Sequence, residues 1–220
     1  MSAYLAIAYP DRVELLTDGA VTFNDGTVSD ILTKVWTAPT VPLAITGAGE
    51  ISQVENIARY ILGWAALTGV AGALDALSTM PHPAGDLCIV LAGISEDHGP
   101  GVWSYSTRSE DNHPAFAVAR RVGLYAMGSG LDVSDISATG LTRADFADGI
   151  ARGGIKLMDA WRRKACVSPA RPELGPGYYI GGKVDHTVVT SAGVVTREVH
   201  RWPDKIGSVI DPSFTAEQAA

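Results

Sequence analysis

Ser2, Asp18 and Lys34 follow one another at intervals of sixteen residues, each at the start or end of a stretch that reads as a β-strand. A side chain as small as that of Ser2 favours removal of Met1, so the mature chain is expected to begin at Ser2. One residue would then carry both a hydroxyl nucleophile and a free α-amine. Such an amine titrates at roughly 7.7–8.0 in model compounds and can act as general base towards its own hydroxyl. Lys34 beside it would disfavour a second positive charge and favour the developing alkoxide, while Asp18 would hold Lys34 in place and charged. Taken singly, a charged residue at a strand end is ordinarily a solvated edge. The joint register of the three is what points to attack on an amide.

The elements that must position these groups are legible around them. Tyr4-Leu5-Ala6-Ile7-Ala8-Tyr9 is an apolar run, Pro10-Asp11 is a turn signal, and Val13 to Thr17 runs back towards Asp18. A three-residue connection, Tyr9-Pro10-Asp11, would set Ser2 opposite Asp18; a two-residue turn would shift Asp18 by one place. Asn24-Asp25-Gly26-Thr27 reads as a second loop, after which Thr33-Lys34-Val35-Trp36 reads as a strand that returns Lys34 to the start of the sheet. Next, Gly47-Ala48-Gly49 joins the strand Leu43 to Thr46 to a helix. Backbone N–H groups at such a junction can receive an oxyanion. Tight packing at the turn is the plainer reading of these glycines. A dinucleotide fingerprint is a poorer one, because Ser52 occupies the third glycine position and no βαβ unit precedes it.

At these residues the sequence resembles the proteasome β-subunit family of N-terminal-nucleophile hydrolases. The likeness runs through Ser2-Ala3-Tyr4-Leu5-Ala6, Thr17-Asp18-Gly19, Lys34-Val35, Ile45-Thr46-Gly47-Ala48-Gly49 and Met127-Gly128-Ser129-Gly130. It implies catalytic roles for Ser2, Asp18 and Lys34, an oxyanion site at Gly47 and Ala48, and Ser129 as a supporting residue that hydrogen-bonds the amine. It also implies cleavage of peptide or other amide bonds without metal or organic cofactor, and a closed homo-oligomer, that family's subunits being packed in rings. The chain departs from the family at several points: Ser2 replaces the usual threonine, Ala20 replaces an arginine, and Gly177 and Ile180 replace an acid and a serine that support the amine. Two further readings stay open on that account, a catalytically inactive structural or assembly subunit and a small-molecule amidase.

Composition narrows the partners. The formal charge is −7, and no basic cluster exceeds Trp161-Arg162-Arg163-Lys164, so nucleic acid is not expected. That run reads as cations complementing a helix C-terminus. Cys88 and Cys166 are far apart, Cys88 within the apolar run Leu87 to Leu91, and read as free thiols of a reducing compartment. The five histidines have no paired ligand spacing, so no zinc site is expected. Asp185-His186 with Ser191 is not a triad, since adjacent residues on a strand face opposite ways. The N-terminus has no secretory signal pattern, and Tyr60 to Leu74 is uncharged but shorter than the ~20 residues of a membrane span. A soluble cytoplasmic protein is expected.

The remaining pattern predicts a helix from Glu50 through Ala65, a break from Ser78 to Gly85, strands over 86–94, 102–105 and 122–127, and a second long helix from the capping-box-like Thr142-Arg143-Ala144-Asp145. A hairpin over 187–201 closes the chain. Residues 1–202 are expected to form one domain and 203–220 a C-terminal tail. The fold class expected is α+β, a four-layer α/β/β/α sandwich of two stacked, largely antiparallel sheets; the order of elements suits it, and the family resemblance implies it.

Overall fold

The computed structural model describes residues 2–110, 113–128, 130–168 and 170–214. The chain opens with β1 (Tyr4–Ala8) and β2 (Val13–Asp18), joined as Pro10-Asp11 allows: Tyr9 N–H donates to the Arg12 carbonyl at 2.8 Å, closing a two-residue turn. Ala8 therefore faces Val13 and Tyr4 faces Thr17. The same register carries Asp18 opposite Ala3, whose carbonyl accepts the Asp18 N–H at 3.1 Å.

There follow β3 (Ala20–Thr22), β4 (Val28–Ile31), β5 (Trp36–Thr37), β6 (Leu43–Ala48), α1 (Ile51–Thr79), β7 (Cys88–Ser95) and β8 (Gly99–Ser106). Then come β9 (Val118–Arg121), β10 (Tyr125–Met127), α2 (Val133–Ala138), α3 (Ala151–Arg162), β11 (Cys166–Val167), β12 (Pro176–Gly177), β13 (Lys183–Thr190) and β14 (Gly193–Arg201). One five-stranded sheet has the order β10-β1-β2-β13-β14 and another the order β5-β6-β7-β8-β9; β3-β4 and β11-β12 form sheets of two strands each.

This partition corrects the expected four-layer α/β/β/α sandwich. The strands are divided among four separate sheets, only three α-helices occur among the described residues, and the chain is mostly β, 36% strand against 25% helix. The predicted second helix illustrates why. The Thr142 capping box is present but caps a single 3-10 turn, Arg143–Phe146, and Gly149 at φ 153° stops the chain before α3 starts. Helix that the sequence pattern assigns to 142–161 thus shrinks to twelve residues of α3.

Apolar burial holds the pieces together. Val54, Ile57, Ala58, Ile61 and Leu77 of α1 pack on Ile45, Ile89, Leu91 and Trp103 of one large sheet. Leu157, Met158 and Trp161 of α3 pack on Leu5, Leu16 and Val184 of the other. Tyr4, Val13 and Leu15 meet Val90, Ala92 and Val102 in a third cluster. At roughly 25 cal/mol per Å² of apolar surface, such burial is the main favourable term.

α1 runs well beyond the predicted stretch and is, by length and composition alone, apolar enough to cross a membrane. Ten of its residues are nevertheless buried against the protein. It is bent at Gly69, φ 77°, where Glu96 from the β7–β8 turn accepts the Val70 and Ala71 N–H groups at 3.1 and 2.9 Å. A Cβ at Gly69 would collide with that carboxylate. Within the predicted tail Ile210 is buried beside Ala20 and Val28, and the Ser208 carbonyl accepts the Val28 N–H at 2.9 Å.

Candidate active site

Asp18 ends β2 fully buried, and Lys34 reaches it from the segment leading into β5. The Lys34 ammonium donates to Oδ1 and Oδ2 of Asp18, both at 3.1 Å, so the carboxylate is gripped by both oxygens. Its Oδ1 also accepts the Ala3 N–H at 2.9 Å, which ties the pair to the residue following Ser2. Two charges taken out of water are tolerable only when paired in this way. Lys34 is not on a strand as predicted. Its carbonyl accepts the Thr46 hydroxyl at 2.7 Å, and that bond fixes the loop where the strand ladder has not yet begun.

Ser2 is partly buried and lines a cavity of ≈ 840 Å³, as do Lys34, Gly47, Ala48, Met127 and Gly128. The structure therefore brings Ser2, Asp18, Lys34, Gly47 and Ala48 together. Ser129 lies outside the described residues. Gly47 and Ala48 are not a loop but the last two residues of β6, in register with Ile89 and Cys88. In an antiparallel strand successive N–H groups point to opposite sides. β5 covers only Ile45 and Ala44, so past it one of these two residues turns its N–H away from β7, towards the uncovered edge by the cavity. Gly47 is also required sterically, because a Cβ there would run into the Cys88 carbonyl. The tight-packing reading of this glycine is therefore met in the structure.

Cys88 lines the same cavity, but burial pushes its thiol up and the Tyr4 hydroxyl donates to its sulfur at 3.2 Å. A buried thiol pushed up in this way is a poor nucleophile. Of the residues that depart from the family pattern, Ala20 and Ile180 are fully buried apolar side chains. Gly177 sits against the Tyr179 ring.

Three polar features escaped the sequence reading. Arg162, read as a helix-end cation, does end α3, but it is completely buried and its guanidinium grips both oxygens of Asp204 at 2.7 and 2.6 Å and the carbonyls of Asp211 and Phe214. Asp204 in turn accepts the Gly182 N–H at 2.7 Å, and the neighbouring Gly181 carbonyl accepts the Gly19 and Ala20 N–H groups. The second feature is a buried contact between the His186 ring and the Glu14 carboxylate at 2.9 Å. The third is the Glu110 carboxylate on the cavity wall. No periodicity marks any of them, since each partner comes from a remote segment. Asp185 and His186 do diverge as expected: Asp185 pairs with Lys183 and His186 with Glu14. Among the described residues no group of three or more His, Cys, Asp or Glu could hold a metal ion.

Comparison with known proteins found no family model and no curated protein that matches the chain.

Proposed function

We propose that this protein is an N-terminal-nucleophile hydrolase of peptide or other amide bonds, acting through Ser2 once Met1 has been removed. The single observation that carries the reading is a buried, doubly hydrogen-bonded Asp18–Lys34 pair beside Ser2 at the wall of a cavity large enough for a substrate. The resemblance of the same residues to proteasome β-subunits supports it.

The α-amine of Ser2 takes the hydroxyl proton, directly or through one water, as Oγ attacks the carbonyl carbon. Lys34 favours the developing alkoxide, and Asp18 keeps Lys34 charged and oriented. The oxyanion is received at the Gly47-Ala48 edge. Collapse of the tetrahedral species breaks the C–N bond, the amine passing its proton to the leaving nitrogen. Water then attacks the ester, releasing the carboxylic acid and restoring the Ser2 hydroxyl. The protein is read as cytoplasmic and as a closed homo-oligomer; a strict monomer in light scattering at micromolar concentration would remove the assembly from this reading.

Intact mass of protein from its native host is expected to lack Met1, and Ser2→Ala to abolish amide hydrolysis with an unchanged circular dichroism spectrum. Wild-type activity that survives Ser2→Ala would overturn the nucleophile. The second reading, an inactive structural subunit, is favoured by one observation: apolar Ile180 and Ala20 fill positions where the family places polar support. Retention of Met1 in the native host would put that reading ahead.

A further inference from the structure

From Ala48 the wall of the cavity runs along one edge of the sheet: Ala48 pairs with Cys88, and Cys88 with Ser106 two strands away. At about 4.8 Å per strand, Ser106 stands roughly 10 Å from the oxyanion edge. Beside it is Glu110, whose backbone is pinned by reciprocal hydrogen bonds with His113 at 3.0 and 2.6 Å. The two carboxylate oxygens are held unequally. Oε2 accepts from the Tyr125 hydroxyl at 3.2 Å and the Arg121 guanidinium at 3.4 Å, while among the described residues Oε1 accepts only from the rotatable Ser106 hydroxyl at 3.0 Å.

A carboxylate has about four lone-pair sites, so Oε1 retains acceptor capacity for a ligand. Arg121 meets Oε2 rather than Oε1. Its Nε is committed to Ser104 Oγ at 2.7 Å and its guanidinium lies over the Tyr125 ring at 4.6 Å. The other two carboxylates on the wall are engaged, Glu50 with the first N–H groups of α1 and Asp86 with Arg108. Lys34 is balanced by Asp18. A cavity with a fixed, incompletely satisfied carboxylate suits a cationic group, and the −7 charge of the chain steers cations towards it.

We propose that Glu110 selects amides carrying an ammonium, amidinium or guanidinium group, received at Oε1 about 10 Å from the reacting carbonyl. This rests on the hydrolase reading only for the word amide; the cation site stands on its own geometry. The test pairs hydrolysis with binding. N-acyl-arginine and N-acyl-norleucine p-nitroanilides are compared on wild type and on Glu110→Gln, which keeps shape and removes charge. In parallel, benzamidine is titrated by calorimetry into Ser2→Ala and into Ser2→Ala combined with Glu110→Gln.

The arginine substrate is expected to be preferred in kcat/KM by about tenfold or more, the preference falling to near unity in Glu110→Gln while norleucine turnover stays within about threefold, and benzamidine binding is expected to weaken about tenfold with the same substitution. Equal use of the two substrates by wild type, or benzamidine affinity indifferent to Glu110→Gln, overturns the cation site. Glu110-dependent benzamidine binding by a protein that hydrolyses neither anilide overturns the hydrolase reading and leaves the cation site intact.

Discussion

β2 carries two buried acids four residues apart, Glu14 and Asp18, and each is hydrogen-bonded to a buried basic side chain from a distant strand or loop, His186 and Lys34. By burial and pairing they are alike. What separates them is what lies on the other side. Asp18 grips Lys34, which lines the large cavity next to Ser2. Glu14 faces α3: it accepts the Ile150 N–H at 3.0 Å at the start of that helix, is reached by Arg12 at 2.6 Å, and pairs with His186 away from that cavity. A buried ion pair is therefore poor evidence of chemistry unless a ligand can reach it. Glu14 closes a helix N-terminus; Asp18 supports a group that touches the cavity.

The sharpest way to break the comparison is to remove the cation from the Asp18 pair. Lys34→Met is expected to lower kcat/KM for amide hydrolysis on the order of 10²-fold or more. Glu14→Gln in the same assay is expected to change it by less than about threefold, because Glu14 touches neither Ser2 nor the cavity. If both lose activity alike, the two pairs are one network and the distinction fails.

In urea unfolding, Glu14→Leu is expected to lower stability by roughly 1–3 kcal/mol. A change below about half a kcal/mol would deny Glu14 its structural role.

The same acid predicts a pH dependence. Burial pushes the Glu14 carboxyl up, but hydrogen bonds from His186, the Ile150 N–H and Arg12 outweigh it and hold it at about 2. A carboxyl held below its ordinary value stabilises the fold above that ordinary value, and the contribution is lost as pH falls from about 4.5 towards about 2. Urea midpoints measured from pH 6 down to 2.5 should fall across this window in wild type and fall less in Glu14→Gln. Equal slopes would sink the assignment.

The smallest expected effect tests Glu96, a carboxylate with no ion pair among the described residues. Glu96→Ala removes the cap at the Gly69 bend and should cost about 1 kcal/mol, as for loss of a helix N-cap, with amide hydrolysis unchanged. No loss of stability would mean that the bend is held by packing of α1 alone.

Much of this protein follows from local sequence. The β1–β2 hairpin follows from an apolar run returned by Pro10-Asp11, whose two-residue turn sets the register, and the Ser191-Ala192 connection between β13 and β14, with Gly193 opening β14, is equally local. The apolar stripe of α1 is plain because its spacing of three and four survives for many residues. The convergence of Ser2, Asp18 and Lys34 was readable because two short strands and a loop carry all three. The partition into four sheets was not readable, and the capping box at Thr142 misled, because a cap signals where a turn starts and not how far a helix extends. β9 and α2 went unrecognised for want of periodicity in so few residues.

The pairs Arg162 with Asp204, Glu14 with His186 and Glu110 with Tyr125 belong to tertiary structure alone. Their partners are 42, 172 and 15 residues apart. Local propensity is a property of neighbours in sequence, whereas the fate of a buried charge is decided by whichever segment the fold brings against it. The sequence by itself determined the hairpins, the long helix and the company of Ser2. Which carboxylate opens on a cavity and which is sealed under a helix was decided only when the sheets and α3 came together.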